Sequence, residues 1–182
     1  MQKINQNNFE NIIKEMSILD MHFYKIDFSW MKLSWKNFIN CKFEKCNLSN
    51  VIINDTTLNN VDFIKSKIMW IKFNKIKQIL SNFNFFDCNI ILCDFKSLKM
   101  TNTIFRDSKI FESDFYYTNL EWADFSFCEM QNTIFEKTIL KKACFLWSSW
   151  FFIDPNKNNL IKAKFSRDNA IELLNSLDII IE

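Results

Sequence analysis

Every fifth residue of this chain is apolar over two long stretches: position 5n+3 from Ile18 to Phe73, and position 5n from Leu80 to Trp150. A five-residue period fits neither the 3.6 of a helix nor the 2 of a strand, so the chain reads as an internal repeat array. From Cys88 to Ser148 the residue two before each apolar centre is Cys, Thr, Ser or Ala, with Leu98 as the exception. One large and one small residue per repeat define two inward positions and three outward ones. If four repeats make a coil, residues 20 apart stack at the strand spacing of about 4.8 Å. Phe85, Phe95, Phe105, Phe115, Phe125, Phe135 and Phe145 alternate with Ile90, Met100, Ile110, Leu120, Met130 and Leu140. That alternation places phenylalanine ladders on two opposite faces and aliphatic ladders on the other two, so bulky and smaller groups share each layer.

Glycine is absent and there is one proline, which excludes Gly-rich phosphate loops and leaves the turns to Asn, Asp, Ser and Lys. Cys41, Cys46, Cys88, Cys93 and Cys128 occupy the small inward slot and act there as small hydrophobes. Their spacing is not that of a zinc knuckle, and His22 is the sole imidazole. Cys144 alone falls on an outward position. No metal, cofactor or catalytic residue is expected, because a filled solenoid offers no cleft for a nucleophile and its base. No apolar run approaches the roughly 20 residues of a membrane span, and the N-terminus lacks a signal core, so a cytoplasmic protein without membrane contact is expected.

The solenoid is expected over residues 1–165: a cap at 1–17, a first array at 18–73, an insertion at 74–79, a second array at 80–150, and an exit turn and last repeat at 151–165. Small slots filled by Met16, Met21, Ile26, Met31 and Lys36 predict wider or more irregular coils in the first array. The seven-residue step from Phe73 to Leu80 is either a tolerated insertion or a functional loop. Ser166 can cap a helix with an apolar stripe, and 179–181 reads as a short strand. The helix is too short to stand alone, so it docks on its own coil or on a partner.

These repeats, such as Ala123-Asp124-Phe125 and Thr118-Asn119-Leu120, resemble the pentapeptide repeat family, whose motif is Ala-Asp/Asn-Leu-x-x. The resemblance implies an all-β fold, a right-handed, four-sided parallel β-solenoid. Residues 169–181 resemble the C-terminus of Qnr-type quinolone-resistance proteins, and 153–160 are similar to the immunity protein against a gyrase-poisoning microcin. That branch implies a DNA-mimicking rod that binds DNA gyrase or a related type II topoisomerase. It also implies a two-fold dimer through the C-terminal segment 166–182, with contacts at Ala170, Ile171, Leu173, Leu174, Leu177, Ile179 and Ile181.

Charge is uneven although the whole chain is +2. Residues 1–75 hold eleven Lys against seven acids, whereas residues 107–136 hold Asp107, Glu112, Asp114, Glu121, Asp124, Glu129 and Glu136 against Lys109 alone. With Asp87 and Asp94, these acids form the candidate partner surface, Asp87/Asp107 and Asp94/Asp114 being stacked pairs. The motif itself favours Asp or Asn before each centre, so part of this acidity belongs to the fold. The N-terminal lysines alternate with acids along the chain, which reads as a solvated face without direct nucleic-acid binding. Outward aromatics mark interfaces: Phe127 and Trp147 are assigned to the dimer seat beneath the helix, and Tyr116, Tyr117 and Trp122 to a partner. The alternative function is a scaffold that binds another protein through these rings and has no topoisomerase role.

Overall fold

The computed structural model describes residues 1–177 and Ile179. Strand Asn37–Glu44 pairs in parallel with Thr57–Ile64, Phe38 against Leu58 and Phe43 against Phe63. Farther along, Asn89–Ile91 pairs with Lys109–Phe111, and bridges link Asp94 to Asp114 and Asp114 to Ile134. Each coil therefore advances 20 residues, and the chain is a parallel β-solenoid of about eight turns.

The ladders run as the alternation requires. Phe85, Phe105, Phe125 and Phe145 stack ring on ring at 5.0, 4.7 and 5.1 Å between centroids, while Phe95, Phe115 and Phe135 stack at 4.7 and 5.2 Å on the opposite side. The two ladders meet edge to face, as at Phe105 and Phe115 (5.6 Å, 87°), the geometry that ring quadrupoles favour. Ile90, Ile110, Met130, Met100, Leu120 and Leu140 fill the remaining faces and are buried.

The small slot is a hydrogen-bonding position as well as a steric one. Thr118 Oγ1 donates to the Phe95 carbonyl (2.9 Å), Thr138 Oγ1 to that of Phe115 (2.9 Å), and Thr56 Oγ1 to that of Leu33 (2.8 Å). Cys46 and Cys88 Sγ reach equivalent carbonyls at 3.5 and 3.3 Å. A short side chain with a donor satisfies a buried backbone acceptor of the preceding coil, which explains why Ser, Thr and Cys recur there.

Corners fall two residues after each centre and are left-handed: 27 non-glycine residues have positive φ among the described residues. They include Asn, Asp, Ser and Lys, but also Leu92, Tyr117, Phe127 and all six tryptophans, so the corners are less selective than expected. No Val, Ile or Thr occurs among them, because a branched Cβ clashes most in this region. Most corner amides are tied to the next coil, as in Trp30 N–H to Ser49 O (3.0 Å) and Asp107 N–H to Ser126 O (3.1 Å), which offsets the strain.

Two register breaks depart from the sequence reading. Leu80 is not a core centre: it lies 74 % exposed at a corner (φ 69°), and Phe83 enters the core opposite Val61 while Phe85 stacks on Phe63. The bulge runs from Lys77 to Asn82, because Ile76 still fills a buried slot of the first frame. Trp150 likewise turns outward, and Phe151 and Ile153 point inward instead. In the first array Lys36 avoids the interior by donating to the Glu15 carbonyl (2.8 Å), and an apolar void of about 20 Å3 lies among Leu33, Phe38 and Phe43. At the N-terminus Gln2–Ile4 pairs with Met21–Tyr24, and Ile4, Phe9 and Ile13 cover the open end of the core.

Candidate functional site

The acidic positions divide by their place in the repeat. One residue before a centre, a carboxylate or amide closes a local turn: Asp94, Asp114 and Asp124 accept the N–H groups of Lys96 (3.0 Å), Tyr116 (2.8 Å) and Ser126 (2.9 Å), and Asn119 that of Glu121 (3.0 Å). Burial pushes the Asp124 carboxyl up. Hydrogen bonds from the Ser126 hydroxyl and N–H, together with the Arg106 guanidinium, outweigh it and hold the group below its ordinary value. Asp87, Asp107 and Glu112 occupy corners, with φ of 53°, 60° and 50°.

Stacking brings cations onto this surface that a count along the chain misses. Lys96 pairs with Asp114 (2.9 Å), Arg106 with Asp124, Lys109 with Glu129 (3.3 Å), Lys141 with Glu121 (3.2 Å) and Lys65 with Asp87 (3.8 Å). Among the described residues, Asp107, Glu112 and Glu136 are the acids of 107–136 that have no such partner. The negative excess read from 107–136 is thus halved, because Lys96, Arg106 and Lys141 lie beside its acids although they are a coil away in sequence.

Of the outward aromatics, Tyr117, Trp122, Phe127 and Trp147 are exposed and Tyr116 is half-buried. Phe127 and Trp147 stack at 5.0 Å with 13° between planes and remain 51 % and 62 % exposed, so the C-terminal helix of the same chain does not cover them. Tyr116 and Tyr117 meet edge to face at 5.2 Å, with Lys137 Nζ donating to Tyr116 Oη (3.1 Å). Trp122 is half exposed beneath Lys142 Nζ, which lies 4.1 Å from the ring centroid. Trp150 and Phe152 are exposed too, although Trp150 reads as a core centre in the repeat count. The signal that would have placed Trp150 is residue type: every other tryptophan of the chain stands at a corner.

The C-terminal helix is a 3-10 helix, Ala170–Ser176, that begins after Asn169 and not at Ser166. Asn169 is buried, and its Nδ2 donates to the carbonyls of Phe145 (2.6 Å) and Ser148 (3.0 Å), which pins the segment to the last full coil. Leu173 packs on the core and Ala170 is half-buried, whereas Ile171, Leu174, Leu177 and Ile179 face outward. Burial also pushes the Glu172 carboxyl up, against the opposing N–H groups of Phe151 and Trp150. Ile181 and the strand expected at 179–181 lie outside the described residues, apart from Ile179.

Burial pushes the thiols of Cys46 up to about 11 and of Cys88 and Cys93 to about 12, and raises Cys41 and Cys128 as well, whereas Cys144 is half-buried. His22 is spent on Glu44 (2.8 Å). Among the described residues no group of three or more His, Cys, Asp or Glu is placed to hold a metal, and no helix is long and apolar enough to cross a membrane.

A family model for pentapeptide repeats matches residues 25–68, 88–126 and 118–149, in eight copies. The chain belongs to the pentapeptide repeat family. Two solved structures of trypsin-treated variants of QnrB1, a plasmid-mediated fluoroquinolone resistance protein, share its architecture. The first is 16 % identical with a TM-score of 0.62, spanning 99 % of this chain and 95 % of that one. The second is 16 % identical with a TM-score of 0.54, spanning 99 % and 96 %. At this identity the likeness speaks for the fold. No curated protein matches the chain at the level of sequence.

Proposed function

We propose that this pentapeptide repeat protein is a non-enzymatic, dimeric binding protein that engages DNA gyrase or a related type II topoisomerase and protects it from quinolones or a gyrase-poisoning peptide. The observation that carries the reading is the amount of apolar surface left outward towards the C-terminal end: the stacked Phe127 and Trp147, Trp150 and Phe152 around one recess with Glu172, and Ile171, Leu174 and Leu177 on the last helix. Exposed apolar surface of this kind marks an interface, and a second copy related by a two-fold axis is its simplest occupant. Such pairing joins two acidic segments at the centre of the rod. QnrB1, a fluoroquinolone resistance protein, shares the architecture over 99 % of this chain, and we assign that centre to a topoisomerase.

The carboxylates suited to contact a DNA-binding surface are Asp107, Glu112 and Glu136, since Asp114, Glu121 and Asp124 already hold turns or cations. Asp107→Lys, Glu112→Lys and Glu136→Lys together are expected to abolish binding to immobilised gyrase while the circular dichroism spectrum stays unchanged. Unaltered gyrase binding by this variant would overturn the mimicry reading. The compensation of the other acids favours a second reading, a scaffold that holds a different protein through its rings, and wild-type protein without any gyrase affinity would establish it.

A further inference from the structure

The basic N-terminal half contains a built recess. Trp30, Asn50 and Trp70 succeed one another on a single corner column, and with Val51, Ile52, Ile53, Asn54 and Lys72 they line a cleft of about 410 Å3. All three corner residues are left-handed, with φ of 64°, 59° and 54°. Asn adopts that conformation at less cost than tryptophan, and the two indoles, like the other four of the chain, stand at corners nonetheless. They stand 76 % and 51 % exposed above Ile52, itself 46 % exposed. Two coils separate them by about 9.6 Å along the axis. A flat ring in van der Waals contact on both sides needs about 7 Å, so the separation leaves room for one such ring. Asn50 and Asn54 at the cleft can each donate to and accept from the edge of such a ring.

The charge around the recess also changes when the chain is coiled. Along the sequence lysines alternate with acids, but stacking sorts them. Lys25, Lys45 and Lys65 form the neighbouring corner column, and Lys32 and Lys72 edge the cleft's own face. Lys3, Lys25 and Lys45 converge on the Tyr24 ring, with Nζ 3.8, 5.4 and 5.8 Å from its centroid. Among the described residues none of these three has a carboxylate within 4.0 Å. Of the acids in this half, Glu44 is paired with His22, while Asp62, Asp20 and Asp27 accept hydrogen bonds from Asn84, Asn40 and the Ser29 N–H and Asp55 stands at the next corner; Lys65 of the lysine column is paired with Asp87 (3.8 Å), which leaves Lys25 and Lys45 as its open members.

We propose that this half of the solenoid binds single-stranded nucleic acid, a base entering between Trp30 and Trp70 while the phosphates lie along the lysine column. Uncompensated ammonium groups beside paired stacking rings and amide edges match the three parts of a nucleotide, which revises the expectation of a merely solvated face. The surface is distinct from the C-terminal end assigned to the topoisomerase, so either assignment can fail alone.

Fluorescence anisotropy of a labelled oligothymidylate with the full chain tests the proposal. Binding is expected at about 50 mM salt and should weaken with a slope near −0.7 per phosphate contacted. Trp30→Asn and Trp70→Asn, which place the residue of position 50 at its two neighbours, keep the turns and should each weaken binding by roughly 5- to 150-fold. Lys25→Gln with Lys45→Gln should flatten the salt slope by about 1.4. An abasic oligomer should bind the wild-type chain more weakly but bind the tryptophan variants as the intact oligomer does. No binding at low salt would overturn the proposal. So would equal affinity for the abasic oligomer, polyglutamate or anionic vesicles, the last two assigning the patch to an acidic protein or a membrane surface.

Discussion

Replacing Asn169 by Ala is expected to undock the C-terminal segment without disturbing the solenoid. The side chain makes two backbone hydrogen bonds, to Phe145 O at 2.6 Å and Ser148 O at 3.0 Å, and its Oδ1 makes none. Each such bond contributes about 0.5–1.5 kcal/mol net. The pair therefore contributes about 2 kcal/mol, a factor of roughly 30 in the docking equilibrium. Beyond Leu173, little apolar contact from Ala170–Ser176 holds the segment in place, since Ile171, Leu174 and Leu177 face outward. Hydrogen exchange reads this directly. The amides of Ala170 and Glu172, which donate to Ser166 O and Asn169 O, should lose protection by about 30-fold, while those of the coils keep theirs. Sedimentation should show the proposed dimer weakened by at least the same factor. Asn169→Asp, which retains the shape but removes the donor, should fail at least as badly because it buries a charge. Unchanged exchange and unchanged self-association in the Ala variant would refute the anchoring role.

Phe115→Ala removes a fully buried ring stacked between Phe95 and Phe135, and it should cost about 3–5 kcal/mol in urea unfolding followed by circular dichroism; a loss below about 1 kcal/mol would contradict close packing of the ladder. All six tryptophans are exposed, so their emission should already be red-shifted in the folded protein and should move little on unfolding. In a thiol titration of the native chain Cys144 should react first and the other five only on unfolding, because burial raises their pKa values and blocks access. The carboxyls of Asp27 and Asp124 are held below 3.8, the former chiefly by the Ser29 hydroxyl. Their stabilisation is complete above that pH and is lost as pH falls through the lower folded values. Asp124→Asn, the residue type found at 47 and 119, keeps the turn but loses the charge, so it should lower stability at neutral pH, approach the wild type at low pH, and flatten the acid limb of a pH titration of unfolding.

The core was legible because it is written locally. A centre and the slot two residues before it suffice to assign an inward pair, and with four such pairs to a coil, as the family resemblance implies, Phe105 falls on Phe85. The surface was not legible in the same way. Arg106 meets Asp124 and Lys141 meets Glu121 only because 18 or 20 residues close one turn, so a charge count over a contiguous segment overstated the acidity. Near the insertion two frames fit at once. Phe83 continues the first period and Phe85 opens the second, and the structure buries both while Leu80 is left outside. Corner residues carry little signal, since the left-handed turn excludes a branched Cβ but admits Asp, Lys and Trp alike.

The central claim is that the rod acts on a topoisomerase, and DNA supercoiling by purified gyrase in the presence of a fluoroquinolone tests it most directly. The account predicts that the wild-type protein restores supercoiling at low salt, that moderate salt abolishes the effect, and that the Asp107→Lys, Glu112→Lys, Glu136→Lys variant does not restore it. Drug inhibition that persists unchanged at every concentration of wild-type protein would contradict the account.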